Sequence, residues 1–253
     1  MSIILPYKIL ILGGTYEARK LLLKITSFNK FNTILSLYGS TIYPIVKYFN
    51  IRIGGFGGST GLSAYIYQEK ISAVIIATHP FSEIIFQNIM KVKRATGIPI
   101  IHLIRPYWKY THNKLINCKN IEDVLIVLNN FPTSKIFLTL GRNQIKIFEK
   151  VPQHFYLIRS IDPINTKINL PKSKIIFARG PFYIKNEIKL IKKEAIDVIV
   201  TKNSGGTSVL PKINAARILG IPIIMIERPY KPFIFPTVTY LYDVINWLKI
   251  FLK

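Results

Sequence analysis

Several things are scarce in this chain, and each shortage narrows the reading. Cys118 is the one cysteine among 253 residues. That excludes an intrachain disulfide and a cysteine-rich zinc cluster, so no metal site is expected. A reducing, cytoplasmic setting is the default for such a chain. No apolar run approaches the roughly 18 residues that a membrane helix requires, so no membrane partner is expected. Residues 3–12 are apolar but run straight into Gly13-Gly14, with no basic leader and no small-residue cleavage site. They read as a first buried strand rather than a secretory signal. Acidic residues are few, 12 Asp and Glu against 35 Lys and Arg, for a formal net charge of +23. Such a surplus suits a polyanionic ligand or nucleic acid. The basic residues are dispersed, however, and neither an RNA-binding aromatic motif nor a helix-turn-helix pattern is present, so no nucleic-acid partner is expected. The abundance of Ile, Lys, Asn, Phe and Tyr, residues of A/T-rich codons, accounts for much of the charge as mutational drift.

What is present is alternation. Hydrophobic residues make up 49% of the chain, enough to build cores rather than disorder. Lys8-Ile9-Leu10-Ile11-Leu12 reads as a strand, Gly13-Gly14-Thr15-Tyr16-Glu17-Ala18 as a turn, and residues 18–25 as a helix. This strand–glycine turn–helix unit suits a phosphate seated on backbone N–H groups at a helix N-terminus, although the full G-x-G-x-x-G pattern is absent. Residues 33–37 are a second strand, and the end of such a strand meets the adenosine ribose in dinucleotide folds. Ser36, Gly39, Ser40 and Thr41 lie there, with no acidic residue. Arg52-Ile53-Gly54-Gly55-Phe56-Gly57-Gly58 is too glycine-rich for an element interior and reads as a loop that a ligand approaches closely. Residues 71–77 are a strand ending at Thr78-His79-Pro80-Phe81. Helices are expected over 61–69, 83–96 and 121–128, with a strand over 98–104.

The second half repeats the scheme. Strands are expected at 136–140, 155–159, 175–178, 196–200 and 221–226, and helices at 186–194, at about 212–219 and at 238–252. Gly97-Ile98-Pro99-Ile100-Ile101 recurs as Gly220-Ile221-Pro222-Ile223-Ile224, and Arg105-Pro106-Tyr107 recurs at the same offset as Arg228-Pro229-Tyr230. That offset carries Thr78 onto Thr201, so Thr78-His79-Pro80 and Thr201-Lys202-Asn203 are equivalent loops. The expected fold is therefore α/β: two Rossmann-like domains, each a mainly parallel sheet flanked by helices, with the site in a cleft between them. The border is placed in the break at Asn129-Asn130-Phe131-Pro132, giving domains 1–132 and 133–253. Lys202-Asn203-Ser204-Gly205-Gly206, at a strand end, offers a cation, an amide, a hydroxyl and two bare backbone positions to an anionic ligand.

In this order the segments resemble the precorrin-6A and cobalt-precorrin-6A reductase family of cobalamin biosynthesis. The resemblance rests on Gly13-Gly14-Thr15 with Glu17-Ala18, on residues 52–58 with Gly61-Leu62, and on Ala77-Thr78-His79-Pro80-Phe81. It extends to Arg105-Pro106 with Trp108, Thr139 with Gly141-Arg142, Arg179-Gly180-Pro181, residues 202–206 and Arg228-Pro229. It covers nearly the whole chain. It implies an NADPH-dependent oxidoreductase acting on a CH–CH bond, which reduces one double bond of a corrin-precursor macrocycle. Residues 1–132 would bind the nicotinamide cofactor through Gly13, Gly14, Thr15, Glu17, Ser36, Gly39, Ser40, Gly55, Phe56, Gly57, Gly58, Thr78 and His79. Residues 133–253 would bind the polycarboxylate macrocycle through Lys202, Asn203, Ser204, Gly205, Gly206, Arg179, Gly180 and Arg142. Lys202 and His79 are the candidate catalytic groups. Ser40 stands where the family usually has Arg, which leaves NADH possible as the donor, and Ile76 stands where it usually has Asp. The expected state is a monomer or weak homo-oligomer. The competing readings are a non-catalytic macrocycle or nucleotide binder and a basic nucleic-acid-binding protein.

Overall fold

The structure is a computed structural model, described here for residues 6–39, 49–109, 114–164 and 168–252. The chain begins with β1 (Tyr7–Leu12), α1 (Tyr16–Ile25), β2 (Phe31–Leu37), β3 (Ile51–Ile53), α2 (Gly58–Gln68), β4 (Ala73–Ile76), α3 (Glu83–Thr96) and β5 (Ile100–Leu103). It continues with β6 (Leu115–Cys118), α4 (Ile121–Asn129), β7 (Lys135–Leu138), β8 (Phe155–Ser160), β9 (Ser173–Phe177), α5 (Ile184–Lys193), β10 (Val198–Lys202), α6 (Pro211–Ile218) and β11 (Ile223–Ile226). It ends with β12 (Thr237–Val238) and α7 (Leu241–Phe251).

Two six-stranded sheets result, ordered β12-β5-β4-β1-β2-β3 and β6-β11-β10-β7-β8-β9. Every recorded pairing is parallel. Each order is that of a doubly wound dinucleotide-binding sheet, in which the strand order reverses beside the first strand. The central strands are apolar on both faces because helices cover both. In the first sheet Ile9, Ile11 and Ile75 pack with α1 and α7, while Leu10, Leu12, Val74 and Ile76 pack with α2 and α3. The alternation along β1 is the period-2 geometry of a strand dividing two cores. In the second sheet Phe137, Leu157, Ile199, Ile223 and Met225 pack with α5 and α6.

The two α/β units are confirmed, but their borders are not where the turn signals suggested. One unit comprises Met1–Arg105 with Tyr230–Lys253, and the other comprises Pro106–Pro229. The chain therefore crosses between units at the two Arg-Pro-Tyr repeats, not near residue 132. The break after Asn129 is real but only ends α4, which packs on β6 and β11 of the second sheet. In each sheet the outermost strand on the β5 or β11 side is contributed by the other half of the chain: β12 joins β5, and β6 joins β11. Two further expectations shift. The last helix starts at Leu241, because Thr237–Val238 is a strand. Arg52 and Ile53 belong to strand β3 rather than to the glycine loop.

Candidate functional site

In the first unit, parallel pairing brings the turns after β4, β1, β2 and β3 to one edge of the sheet. That edge therefore gathers Gly13, Gly14, Thr15, Ser36, Gly39, Gly55, Phe56, Gly57, Gly58, Thr78 and His79. Ser40 lies outside the described residues. The reversal of strand order falls between β1 and β4, the position where open α/β sheets take ligands. A Cβ on Gly13 would meet Leu35 Cδ1 on β2 at 2.5 Å and Ala18 Cβ on α1 at 3.4 Å, so a side chain there would displace Leu35. Gly14 has φ +110°, with no atom within 4 Å of the place a Cβ would take. Gly13 donates its N–H to the Ser36 carbonyl at 2.9 Å, so the backbone donors facing a ligand are those from Gly14 into the first turn of α1.

Thr15 is the N-cap of α1. Its Oγ1 accepts from Ala18 N at 3.1 Å and donates its one hydrogen to the Ala77 carbonyl at 2.7 Å. The hydroxyl thus ties β1's turn to β4's, and its one hydrogen is committed to that carbonyl. Glu17, in the same turn, faces Arg105 at 3.6 Å. Burial pushes the Arg105 guanidinium below its ordinary range, and Glu17 opposes that shift. Thr78 Oγ1 is buried at the end of β4 and forms no hydrogen bond among the described residues. His79 Nδ1 accepts from Phe81 N at 3.3 Å, so a neutral ring carries its proton on Nε2. Arg52 was read only as part of the glycine loop. Its guanidinium donates to the Gly54 carbonyl at 2.6 Å and the Gly55 carbonyl at 2.7 Å, and lies 3.8 Å from the Phe56 ring centroid.

In the second unit, the same edge gathers Arg142, Arg179, Gly180 and the loop from Lys202 to Gly206. Lys202 ends β10 and is half-buried, and Gly205 and Gly206 take φ of +63° and +81°. Asn203 is 4% exposed. Its Oδ1 accepts from Trp108 N at 3.1 Å and its carbonyl accepts from Arg228 Nε at 2.7 Å. Trp108 Nε1 also donates to the Gly206 carbonyl at 2.9 Å. Asn203 therefore organises the loop that carries Lys202, Ser204 and the glycine backbone. Trp108 was singled out only by the family resemblance, and Arg228 by the resemblance and the repeat; their partners lie too far along the chain for spacing to show.

Below this edge lies a charged cluster that sequence reading did not find. Arg159 pairs with Glu187 at 2.8 and 3.1 Å, with side chains 8% and 2% exposed. Lys212, in the first turn of α6, is 6% exposed, and burial, with Arg159 adding to it, pushes its amine down to about 7 while Glu187 opposes. In the first unit His102, on β5, is pushed down to about 4 by burial, with Lys231 adding to it. It is neutral at ordinary pH and so unsuited to supplying protons.

An open glycine turn at a switch point, with a buried hydroxyl beside it awaiting a partner, fits the pyrophosphate and nicotinamide of a dinucleotide. Repeated parallel topology and this turn define the doubly wound dinucleotide-binding class of α/β proteins. A family model described as precorrin-6x reductase CbiJ/CobK matches residues 8–249. The chain is 41% identical over 232 residues to a precorrin-6A reductase of Sinorhizobium sp, spanning 91% of this chain and 88% of that protein. It is 37% identical over 246 residues to a precorrin-6A reductase of Rhodococcus erythropolis, spanning 95% and 97%. A solved structure of CobK precorrin-6A reductase superposes with a TM-score of 0.89 at 33% identity, covering 97% of each chain. The chain belongs to the precorrin-6x reductase family and is an oxidoreductase. Among the described residues, no helix is long and apolar enough to cross a membrane.

Proposed function

We propose that the protein is a cytoplasmic enzyme of cobalamin biosynthesis that reduces one carbon–carbon double bond of precorrin-6A, with NADPH as hydride donor. The observation that carries the cofactor assignment is the open Gly14 turn at the β1/β4 switch point, with Thr78 Oγ1 beside it. The substrate assignment rests on family membership and on the metal-free substrate named for the relatives reported above. The cationic loop of the second unit supports it, since such a macrocycle carries many carboxylates.

The dihydronicotinamide, when bound, supplies a hydride. The first unit orients it: backbone N–H groups from Gly14 into α1 hold the pyrophosphate, and Gly55 to Gly58, Thr78 and His79 line its path. The second unit holds substrate carboxylates through Lys202, Ser204, the backbone of Gly205 and Gly206, Arg142 and Arg179. Saturating the double bond places a hydride on one carbon and a proton on the other. His79, as the imidazolium, and Lys202, as the ammonium, are the residues proposed to deliver that proton. Positioning is the largest contribution the residues make.

Turnover tests the reading directly. Purified protein with precorrin-6A should oxidise NADPH, followed by nicotinamide absorbance, and NADH more slowly. Absence of oxidation with either donor, by protein that still binds the macrocycle, would leave a macrocycle binder in place of a reductase acting on this substrate.

A further inference from the structure

Discrimination between NADPH and NADH depends on one phosphate, on the 2′-oxygen of the adenosine ribose. In a doubly wound sheet that ribose meets the C-terminal end of the second strand. Here that end reads Ser36-Leu37-Tyr38-Gly39, with no carboxylate to accept from a free 2′-hydroxyl. A 2′-phosphate needs cationic, directional donors, for which the planar guanidinium is well suited. The question is which residue of this chain supplies one.

Arg52 is placed for it. It pairs with Ser36 in the parallel register of β2 and β3. The loop it opens is fastened to the end of β2, where Gly54 N donates to the Leu37 carbonyl at 2.9 Å. A Cβ on Gly55 would lie 3.6 Å from the Tyr38 ring. The guanidinium is held from two directions. Nη1 and Nη2 donate to the Gly54 and Gly55 carbonyls, and the Phe56 ring lies under it at 3.8 Å, with Tyr65 at 5.1 Å. Two of its five N–H groups are engaged in those bonds, and the other three have no hydrogen bond among the described residues. The bond to Gly55 lies at the solvent-exposed side of the residue. A cation fixed in this way loses little further freedom on meeting an anion, which is the condition for strong discrimination.

We infer that Arg52 is the residue that receives the 2′-phosphate and sets the preference for NADPH over NADH. The inference rests on the proposal that the first unit holds the nicotinamide cofactor. The competing account of Arg52 is a brace for the glycine loop, and the two differ in what they do to a cofactor lacking the phosphate.

The test is equilibrium binding of NADP⁺ and NAD⁺, without substrate, to the full chain by calorimetry. Wild type should bind NADP⁺ at least roughly tenfold tighter. In Arg52→Leu that affinity should fall roughly ten- to a hundredfold while NAD⁺ affinity stays within about twofold, so that the preference disappears. Arg52→Lys keeps the charge without the fork and should retain an intermediate preference. NAD⁺ binding reports in every variant that the site is folded. Equal loss of both cofactors in Arg52→Leu makes the residue a brace and overturns the inference, as does retained NADP⁺ preference in that variant. Wild type that binds both cofactors equally overturns it too, leaving the cofactor site itself in place. Binding of neither by wild type removes the cofactor reading, and the inference with it.

Discussion

The two units share one topology and treat the corresponding sheet edge in opposite ways. In the first unit the edge is open backbone: Gly14 has empty space where a side chain would stand, and Arg52 donates to the Gly54 and Gly55 carbonyls of the glycine loop after β3. In the second unit the equivalent edge is clasped. Trp108 and Arg228 reach the loop at Asn203 and Gly206, and a buried Arg159–Glu187 pair with Lys212 lies beneath. Strand order alone therefore does not choose a ligand. Bare backbone N–H groups suit a compact pyrophosphate. A loop held by side chains and carrying Lys202 suits carboxylates spread over a large ring, because its backbone is fixed at Asn203 and Gly206.

The largest effect that sharpens this contrast comes from the charge buried under the second unit. Lys212 is pushed down to about 7 in the folded protein, against 10.5 when exposed. Its contribution to stability is therefore complete only above the unfolded value and is lost as pH falls toward 7, because the unfolded chain binds the proton first. Lys212→Met should be more stable than wild type near neutral pH, and the gap should shrink by roughly 3 kcal/mol between pH 6.5 and 9.5. Urea unfolding at the two pH values measures it. A gap independent of pH would mean that Lys212 is charged and solvated in the fold. The first unit offers no match among the described residues: its Arg105–Glu17 pair is longer, at 3.6 Å, and Glu17 is more exposed.

A middle-sized effect addresses the clasp. Asn203→Ala removes the acceptor of Trp108 N and the side-chain tie to Glu227, leaving a partly buried N–H unmet, which costs about 1–3 kcal/mol. If the loop presents the substrate ligands, KM for the macrocycle should rise roughly tenfold while the NADP⁺ dissociation constant stays the same. A matching loss of cofactor affinity would show that the units are not divided by ligand.

Much of this was readable beforehand, for physical reasons. Central strands of a covered parallel sheet are short continuous apolar runs, so β1, β4, β10 and β11 stood out. Glu83 to Thr96 was read to the residue because Gly97 closes that helix at φ +67°. Strand-end glycines announced both edges. The exchange of β6 and β12 was not legible. Leu115-Ile116-Asn117-Cys118 and Thr237-Val238 are too short to show a period, and their partners lie more than a hundred residues away. The break after Asn129 looked like a border because a turn signal marks the end of an element and says nothing about which sheet the element joins. For the same reason Asn203 was found but its duty was not, since Trp108 approaches it from 95 residues away.

The smallest effect is the most discriminating, because it compares two atoms that the repeat makes equivalent. Thr78 lies two residues beyond β4 and Thr201 lies in β10, and each has a buried Oγ1 without a hydrogen bond among the described residues. Thr201 is 1% exposed, inside the clasped unit, whereas Thr78 is half-buried at the open switch point. Valine preserves the shape of threonine and removes the hydroxyl, and losing an unmet buried hydroxyl is neutral or stabilising by up to about 1 kcal/mol. Both Thr78→Val and Thr201→Val should therefore match or exceed wild-type stability in thermal unfolding. They should part on binding. Thr78→Val should weaken NADP⁺ by about three- to tenfold, the loss of one hydrogen bond, and Thr201→Val should leave it unchanged. If Thr78→Val binds NADP⁺ as tightly as wild type, the Thr78 hydroxyl is a buried remnant like that of Thr201. The asymmetry between the units would then rest on backbone and cations alone.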